Sequence, residues 1–230
     1  MLLDIRELSG GYKDIEIVNE VSLTLDEGET LALLGRNGTG KTTLLRMIMG
    51  LADRSRGTIS IDGVPLPPRS PAALSRAGVT FLPDTRGVFP RLTVDENLRL
   101  ARMNAYRRCS LDVFSYFPDL ALRSHQFAGT LSGGLQQQVA IARALMTGSR
   151  LIIIDELTQG LQPSIVELLV DVLVAVSAQQ GIALLLVDQN PQLAMSICRR
   201  VIVLDHGRPA ISGNSSVLSA DPRLTDLLIV

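Results

Sequence analysis

Residues 35–42 read Gly35-Arg36-Asn37-Gly38-Thr39-Gly40-Lys41-Thr42, and this octapeptide lies between two apolar segments. The segment before it, Thr30–Leu34, has the length and composition of a buried strand, and residues 43–49 after it have the spacing of an amphipathic helix. A strand, a glycine-rich turn and a helix form the context in which the pattern G-x-x-x-x-G-K-[ST] holds phosphate. The octapeptide therefore predicts a phosphate-binding loop within an α/β fold.

Each residue type in this loop has a part in holding an anion. The three glycines lack a Cβ, so successive backbone N–H groups can surround a phosphate, and the following helix presents its positive end to the same group. We expect Lys41 to bind the β- and γ-phosphate oxygens and the hydroxyl of Thr42 to ligate Mg²⁺. The predicted nucleoside-triphosphate contacts are Gly35, Arg36, Asn37, Gly38, Thr39, Gly40, Lys41, Thr42 and Thr43.

The composition narrows the class of protein. Apolar residues make up 46% of the 230 residues and aromatic residues 3%, which suits a parallel sheet of aliphatic strands buried on both faces. A net charge of −1 provides no basic surface for nucleic acid. Cys109 and Cys198 form no C-x-x-C pair and are expected to be ordinary thiols. Because no signal peptide is recognisable and residues 168–187 are interrupted by polar side chains, we expect a cytosolic protein, held at a membrane only by a partner.

The hydrophobic periodicity predicts strands and helices in alternation, interrupted by a helical insert. Strands are predicted at residues 2–8, 21–25, 57–63, 78–82, 151–154, 182–187 and 201–204. Helices are predicted after a capping box at Thr93 and Glu96, and at residues 111–117, 132–147, 164–178 and 191–199. Residues 64–68 are predicted to be a loop, since they contain three prolines. The expected organisation is one domain, with a core of residues 1–83 and 149–213, a helical subdomain at 84–148 and a tail at 214–230.

Two carboxylates follow the apolar run Leu151-Ile152-Ile153-Ile154, at positions 155 and 156. In open α/β folds, ligands bind at the carboxyl ends of the strands. We expect Asp155 to hold Mg²⁺ beside Thr42, directly or through water. Glu156 is expected to orient the attacking water and accept its proton.

A second candidate anion site occurs in Leu131-Ser132-Gly133-Gly134-Leu135-Gln136-Gln137-Gln138. Ser132 is a favourable helix cap, and the two glycines expose backbone N–H groups at a helix N-terminus. Since the chain already has its own phosphate loop, this segment is expected to close over a phosphate held by another subunit.

Taken in order, these motifs and residues 158–163 resemble those of the nucleotide-binding subunits of ATP-binding-cassette (ABC) transporters. The resemblance extends from residue 2 to about residue 213 and implies a P-loop NTPase (RecA-like) fold, with a mostly parallel sheet, N-terminal antiparallel strands and an inserted helical subdomain. It implies an ATPase that converts ATP and water to ADP and phosphate, with ATP and Mg²⁺ as cofactors. In the implied head-to-tail dimer, Ser132, Gly133 and Gly134 of one subunit contact the γ-phosphate held by the other.

The resemblance also assigns roles to residues outside the main motifs. Tyr12 matches an aromatic residue that stacks on adenine, the alternative being a tyrosine that only packs. Asp84 matches a position that senses Mg²⁺, in a segment that links the two subdomains and faces the membrane partner. Gln189 matches a residue that contacts the γ-phosphate, and residues 158–163 match a loop that bridges the two ATP sites.

A narrower likeness concerns residues 82–98, which we call the lid segment, and residues 186–190. Both are similar to the corresponding parts of importers for branched-chain amino acids and for urea or amides. The likeness implies a second ATPase subunit as partner (or a second copy of this chain), two transmembrane permeases, and indirectly a periplasmic binding protein. It places the chain peripherally on the inner face of the cell membrane. The other readings left open are an ABC ATPase of another transport system, a non-transport ABC protein and a small-molecule kinase.

Four positions depart from the common pattern of the family. Asp84 stands where Gln is usual, and Gln189 stands where most relatives have a His, although Gln189 is a feature of the narrower group. Leu157 replaces a Pro and Gln162 replaces an Asp. Because glutamine can donate a hydrogen bond but carries no charge, we expect hydrolysis to survive at a reduced rate.

Overall fold

The structure is a computed structural model that describes residues 1–13, 15–107 and 111–228; the predicted thiol Cys109 lies outside these residues. Two sheets organise the chain. The first has the order β2-β1-β4-β5 and consists of β1 (Leu3–Tyr12), β2 (Ile15–Leu25), β4 (Asp53–Ile61) and β5 (Val64–Pro65). The second has the order β10-β9-β3-β8-β7-β6 and consists of β3 (Thr30–Leu34), β6 (Val79–Leu82), β7 (Leu151–Asp155), β8 (Ala183–Val187), β9 (Arg200–Asp205) and β10 (Arg208–Asn214).

The pairing of the strands confirms the predicted fold class. The four-stranded sheet is antiparallel, with β1 paired to both β2 and β4. In the six-stranded sheet, β3 pairs in parallel with β8 and β9, and β7 pairs in parallel with β6 and β8. Only the β9–β10 pair of this sheet is antiparallel within the described residues. The chain is thus an α/β protein with a mostly parallel central sheet and N-terminal antiparallel strands.

Alternate residues of the central strands face two different cores, as the period of two along a strand requires. In β3, Leu31 and Leu33 pack in a cluster with the antiparallel sheet and the first helix. Ala32 and Leu34 pack in a second cluster, together with the long helices of the second half of the chain. Because both faces are covered, every residue of β3, β7 and β8 is buried, which explains their uninterrupted apolar sequences.

Ten α-helices and one 3₁₀ turn occur among the described residues. The helices are α1 (Lys41–Ile48), α2 (Pro71–Arg76), α3 (Val94–Met103), α4 (Val113–Tyr116), α5 (Pro118–Leu122), α6 (Gly133–Met146), α7 (Pro163–Gln180), α8 (Pro191–Ile197), α9 (Ser215–Leu218) and α10 (Pro222–Leu228), and the 3₁₀ turn is Ala128–Thr130. Helices α3 to α6 all lie between β6 and β7 along the chain. The proposed boundaries of the helical subdomain at residues 84 and 148 remain a prediction.

Several element boundaries differ from the sequence prediction. Strand β2 begins at Ile15 rather than at residue 21, because shifts in the β1–β2 register interrupt the regular alternation by which the strand was located. Residues 64–68 are not entirely a loop, since Val64 and Pro65 pair with the end of β4. Proline is tolerated there because β5 is an edge strand. Helices α2, α5 and α9 and strand β10 have no counterpart in the predicted elements.

Helix α7 is the one helix of the described chain that is long and apolar enough, by length and composition, to cross a membrane. Leu169, Val172, Leu173 and Val176 on this helix are buried in the same core cluster as α6. Glu167 and Asp171 interrupt the apolar sequence. This pattern is typical of an amphipathic helix that covers a sheet.

Candidate functional site

The candidate site lies at the carboxyl edge of the parallel sheet. Val187, at the end of β8, pairs with Leu33 of β3 and with Asp155 of β7. Two backbone hydrogen bonds continue this register beyond the strands, from the N–H of Glu156 to the carbonyl of Val187 (2.9 Å) and from the N–H of Asp188 to the carbonyl of Leu33 (3.3 Å). The phosphate loop, the acids at positions 155 and 156 at the end of β7, and the residues after β8 therefore meet at one edge.

The phosphate loop is held by its own hydrogen bonds. The Oγ1 of Thr39 donates to the carbonyl of Arg36 at 2.8 Å, and the N–H of Gly207 donates to the carbonyl of Thr39 at 3.0 Å. Gly35 has φ +154°, and a Cβ there would lie 2.6 Å from both the Leu204 carbonyl oxygen and the Thr39 hydroxyl. The loop thus needs glycine at this position because two fixed groups occupy the space of a side chain.

The ammonium group of Lys41 is buried inside the loop. Its Nζ donates to the carbonyl of Gly35 (2.7 Å) and to that of Arg36 (2.9 Å), which uses two of its three donors. Burial lowers the pKa of Lys41, and the charges of Glu156, Asp155 and Asp188 act in the opposite direction. The charges of three carboxylates therefore act on one buried cation, which uses two of its three N–H groups within the described residues.

Asp155 is the most strongly perturbed acid at this edge, and its side chain is buried. Burial raises its pKa to about 6, with further increases from the charges of Asp84 and Glu156, while Lys41 and Arg46 act against the shift. The influence of Asp84 shows that the structure brings the first residues of the lid segment close to the end of β7. Burial and two neighbouring carboxylates both disfavour the charged form of Asp155, and a bound divalent cation would favour it.

The candidate metal ligands fit Mg²⁺. Thr42, Asp84 and Asp155 present the hard oxygen donors that this ion prefers, and Thr42 and Asp84 are exposed. Within the described residues no group of three or more His, Cys, Asp or Glu side chains could hold a metal ion. Mg²⁺ typically takes one or two carboxylates, with phosphate oxygens and water completing its shell, so a larger cluster is not required.

Glu156 has an unusual backbone conformation. Its φ is +50°, in the left-handed region that non-glycine residues rarely adopt. Such a conformation costs about 1–3 kcal/mol and concentrates at functional sites, where the surrounding structure maintains it. The strand register that holds the Glu156 N–H maintains it here.

Asp188 is a site residue that sequence reasoning missed. Its carboxylate is 3% exposed, and its Oδ1 accepts hydrogen bonds from the backbone N–H groups of Gln189 (2.8 Å) and Asn190 (2.9 Å). Burial raises the pKa of Asp188, against these N–H groups and Lys41, which lower it. Asp188 thereby fixes the turn that presents Gln189, which is itself exposed. Its position directly after a buried strand, like that of Asp155, is the signal that could have identified it.

Tyr12 lies at the end of β1 and is half-buried. Its hydroxyl accepts a hydrogen bond from Nη1 of Arg46 at 3.1 Å. Arg46 lies in the last turn of α1, the helix that begins at Lys41, and was not identified from the sequence. The bond links the predicted adenine-stacking side chain to the phosphate-binding helix.

Ser132, Gly133 and Gly134 lie at the start of α6, as predicted, but the hydroxyl of Ser132 makes no capping hydrogen bond. Ser132 is therefore the N-cap residue of α6, as the sequence predicts, although its side chain does not bond to the helix. The guanidinium of Arg86 lies beside Gly133 instead, with Nη2 at 3.1 Å from where a Cβ of Gly133 would be. Within the described residues these three residues make no hydrogen bond to the phosphate loop of the same chain.

The other predicted residues of the phosphate loop differ in how far they are exposed to solvent. Arg36, Asn37 and Gly38 are exposed at the tip of the loop, whereas Gly40 and Thr43 are buried beneath it.

A family model described as ABC transporter matches residues 18–159. The chain is 33% identical over 229 residues to the high-affinity branched-chain amino acid transport ATP-binding protein BraG of Pseudomonas aeruginosa, with 98% of each chain covered. It is 33% identical over 216 residues to the probable branched-chain amino acid transport ATP-binding protein LivF of Archaeoglobus fulgidus, with 92% of each covered. Proteins named for other cargoes, such as Nod factor export and phosphonate import, also match at 33% to 34% identity.

A solved structure described as the ATP binding subunit of an ABC transporter has the same fold. It is 30% identical in sequence, with a TM-score of 0.83, and the match covers 100% of this chain and 95% of the other. The family match, the near-complete coverage of both relatives and the shared fold all agree with the phosphate loop and acid pair at the sheet edge. The chain therefore belongs to the ABC transporter family, as an ATP-binding subunit that hydrolyses ATP.

Proposed function

We propose that this chain is the ATP-hydrolysing subunit of an ABC importer, which energises uptake of branched-chain or other hydrophobic amino acids, or of a related small amide such as urea, through partner permeases. The observation that carries the proposal is the near full-length similarity to BraG and LivF. The likeness of the lid segment to the same group of importers agrees with it.

In the proposed site, the loop glycines and Lys41 hold the β- and γ-phosphates of ATP. Mg²⁺, held by Thr42 and Asp155 with Asp84 nearby, neutralises phosphate charge when it is bound. Glu156 orients the attacking water and accepts its proton. Gln189 donates an amide hydrogen bond toward the γ-phosphate from the turn that Asp188 fixes.

The adenine ring is proposed to stack on Tyr12, whose hydroxyl is held by Arg46. The Tyr12 ring supplies a flat apolar surface at the end of β1, and the guanidinium of Arg46 prevents the ring from turning away. Tyr12→Phe should therefore weaken ATP binding less than Tyr12→Ala does.

The γ-phosphate contacts from Ser132, Gly133 and Gly134 are proposed to come from a second subunit, because these residues make no hydrogen bond to their own phosphate loop within the described part of the chain. That subunit is a different ABC ATPase or a second copy of this chain. ATP then joins the two subunits, and hydrolysis separates them.

The permeases are proposed to dock where the lid segment meets the helical subdomain. A cavity of about 340 Å³ lies there, between the lid segment, α3 and α6. The ring of Phe89 is 46% exposed at its rim and lies under the guanidinium of Arg143, at 4.7 Å from Cζ to the ring centroid. A permease helix seated in this cavity would hold the cassette on the inner face of the membrane.

The first test is the ATPase rate of the purified subunit over a concentration series, alone and with the second ATPase encoded beside it. Strong stimulation by the second ATPase would support a heteromeric importer. A rate that rises with the subunit's own concentration and ignores the second ATPase would indicate a homodimer and would contradict the importer subgroup. Binding of ATP without hydrolysis in either mixture would contradict the assigned catalytic residues.

A second candidate is the ATPase of another transport system, which the matches to exporters of Nod factor and importers of phosphonate favour. Uptake of labelled leucine and of labelled urea by vesicles that contain the subunit with its neighbouring permeases separates the two. Uptake of either solute, abolished by Glu156→Gln, supports the proposal, and uptake of neither supports the alternative.

A further inference from the structure

We propose that Arg86 is a positioning residue that ties the lid segment to the first turn of α6, and thereby couples the two ATP sites of the dimer. The inference rests on the proposed function for the identity of the two sites. Asp84 belongs to the site of its own subunit, whereas Ser132 completes the site of the other subunit. Arg86 follows Asp84 by two residues and contacts the helix that begins next to Ser132.

The backbone of the lid segment turns sharply at Arg86. Its N–H donates to the carbonyl of Pro83 at 2.9 Å, its φ is +65°, and Gly87 follows with φ +61°. A left-handed conformation is strained for arginine and persists only where other contacts maintain it. The turn directs the Arg86 side chain away from its own strand and toward α6.

The guanidinium of Arg86 fits a space that a glycine leaves open. A Cβ on Gly133 would lie 3.1 Å from Nη2, 3.3 Å from Nη1 and 3.4 Å from Cζ, so any larger residue would displace the group. From this position Nη1 donates to Oε1 of Gln136 at 3.2 Å. Gly133 therefore does more than expose its N–H. Because it has no side chain, it also leaves room for the guanidinium of Arg86.

Gln136 extends this contact to the residues before the helix. Its Nε2 donates to the carbonyls of Leu131 (3.2 Å) and Ala128 (3.3 Å). A continuous set of hydrogen bonds thus runs from Arg86 through Gln136 to Leu131, the residue adjacent to Ser132. A shift of the lid segment at Asp84 is transmitted to the position of Ser132 through this set.

Helix stability does not explain a cation at this place. The N-terminus of a helix is its positive end, where a basic side chain is unfavourable and an acidic one favourable. Within the described residues Arg86 forms no ion pair with a carboxylate, although other arginines of the chain do. The charge of Arg86 becomes favourable only when an anion arrives at the same helix end.

Arg86→Ala in the full-length subunit tests the coupling, with Arg91→Ala as the matched control, since Arg91 is an exposed arginine of the same segment. For Arg86→Ala we expect the Kd for ATP to stay within about twofold of wild type and the maximal hydrolysis rate to fall roughly tenfold, the size of a lost hydrogen bond to a charged group. Arg86→Lys keeps the charge and one donor and should recover part of the rate. Arg91→Ala should change neither quantity.

Amide hydrogen exchange over residues 128–140 tests the contact independently of turnover. Arg86→Ala should speed exchange in residues 132–136, whereas Arg91→Ala should not. If the hydrolysis rate stays unchanged, if the Kd for ATP weakens as much as the rate falls, or if exchange is unaffected, the inference is overturned. A wild-type subunit that neither binds nor hydrolyses ATP would instead overturn the proposed function, and exchange would still show whether Arg86 orders the start of α6. Thermal unfolding of Arg86→Ala, compared with wild type and Arg91→Ala, serves as a check that any loss is not a failure to fold.

Discussion

Buried charge concentrates in a small set of residues at the edge of the sheet. Lys41, Asp155 and Asp188 are 5%, 7% and 3% exposed, which is rare for ionisable side chains that lack several close partners. Each influences the pKa of another, and Glu156 contributes from a strained backbone. Such an arrangement lowers stability but prepares a site for polyvalent ions. The predictions at the scale of single residues follow from this balance.

Glu156→Gln should abolish ATP hydrolysis while leaving ATP binding intact, because the amide keeps the shape of the side chain but cannot accept the proton of water. A general base contributes roughly 10² to 10⁴ in rate, so turnover should fall at least a hundredfold. Steady-state phosphate release measures the loss, and gel filtration with ATP should show an accumulated dimer. Glu167→Gln, an exposed change on α7, is the control; a Glu156→Gln rate equal to that of wild type would refute the assignment.

Asp155→Asn should increase the free energy of unfolding at pH 7.5 in the presence of EDTA. The folded-state pKa of Asp155 is about 6 against an ordinary 3.8, so the folded state binds this proton more tightly than the unfolded chain. The stability that protonated Asp155 contributes is therefore fully present below the ordinary pKa of 3.8, and it is lost as the pH rises through about 6. We expect the variant to gain roughly 1–3 kcal/mol at pH 7.5 and little at pH 4.

Urea unfolding of both proteins at the two pH values measures the effect. Asp205→Asn, at the end of β9, is the control for removing an acid after a strand. An equal gain at pH 4 and pH 7.5 would show that the charge of Asp155 is not responsible.

At the scale of elements, helices α3 and α6 begin in different ways. Helix α3 begins with a capping box, in which the Thr93 hydroxyl accepts from the Glu96 N–H and the Glu96 carboxylate accepts from the Thr93 N–H. Helix α6 begins at Ser132 without a side-chain cap, so its first N–H groups stay available to a ligand. At the start of α3, the N–H groups of Thr93 and Glu96 are thus bonded by its own capping residues, whereas the first N–H groups of α6 have no side-chain acceptor from its N-cap residue.

Thr93→Ala should destabilise the protein by about 1 kcal/mol, the usual size of a lost N-cap. Ser70→Ala is a matched control, because Ser70 occupies the N-cap of α2 without a side-chain hydrogen bond and should cost little. Thermal or urea unfolding compares the two. Equal losses would contradict the capping interpretation.

At the scale of the molecule, the central sheet separates two cores. The candidate site lies at the carboxyl edge of this sheet, between them. The phosphate loop leads from β3 to α1, which packs on the antiparallel side, whereas α6 and α7 pack on the opposite side. Ser132 and the phosphate loop therefore adjoin helices that pack on opposite faces of the central sheet.

The reactivity of the Cys198 thiol reports whether the core around it becomes accessible to solvent. Its side chain is 2% exposed in the core cluster of α6 and α7, and burial raises its pKa to about 12. Because the thiolate is the reactive form, we expect no alkylation by iodoacetamide at pH 8 in the folded protein and complete alkylation in urea. Mass spectrometry of a Cys109→Ser variant isolates the signal of Cys198. Rapid labelling without denaturant would show that α8 and β9 separate locally.

The sequence was informative wherever function depends on adjacent residues. The loop at 35–42, the acids after β7, the segment at 131–138 and the capping box at Thr93 are local patterns, and the positions predicted for them agree with the structure. Prediction failed at register shifts in β1 and β2 and at the edge strand β5, because backbone pairing between strands, rather than the side-chain pattern along one strand, decides the conformation there. It also missed Arg46 and Arg86, whose side-chain partners are 34 and 50 residues away. Asp188 was missed because its effect on Lys41 depends on the pairing of β8 with β3.

The sequence by itself determined the fold class and the nucleotide, and it predicted which residues bind the phosphates, because backbone N–H groups, a lysine and a carboxylate pair act through short, fixed spacings. Only the tertiary structure decided which charges meet. The parallel register brings Lys41, Asp155 and Asp188 to one edge, and the turn at Arg86 carries a guanidinium to Gly133 and Gln136, 50 residues farther along in the case of Gln136. Contacts between residues so far apart in sequence depend on how strands pair and helices pack, and no local sequence pattern encodes them.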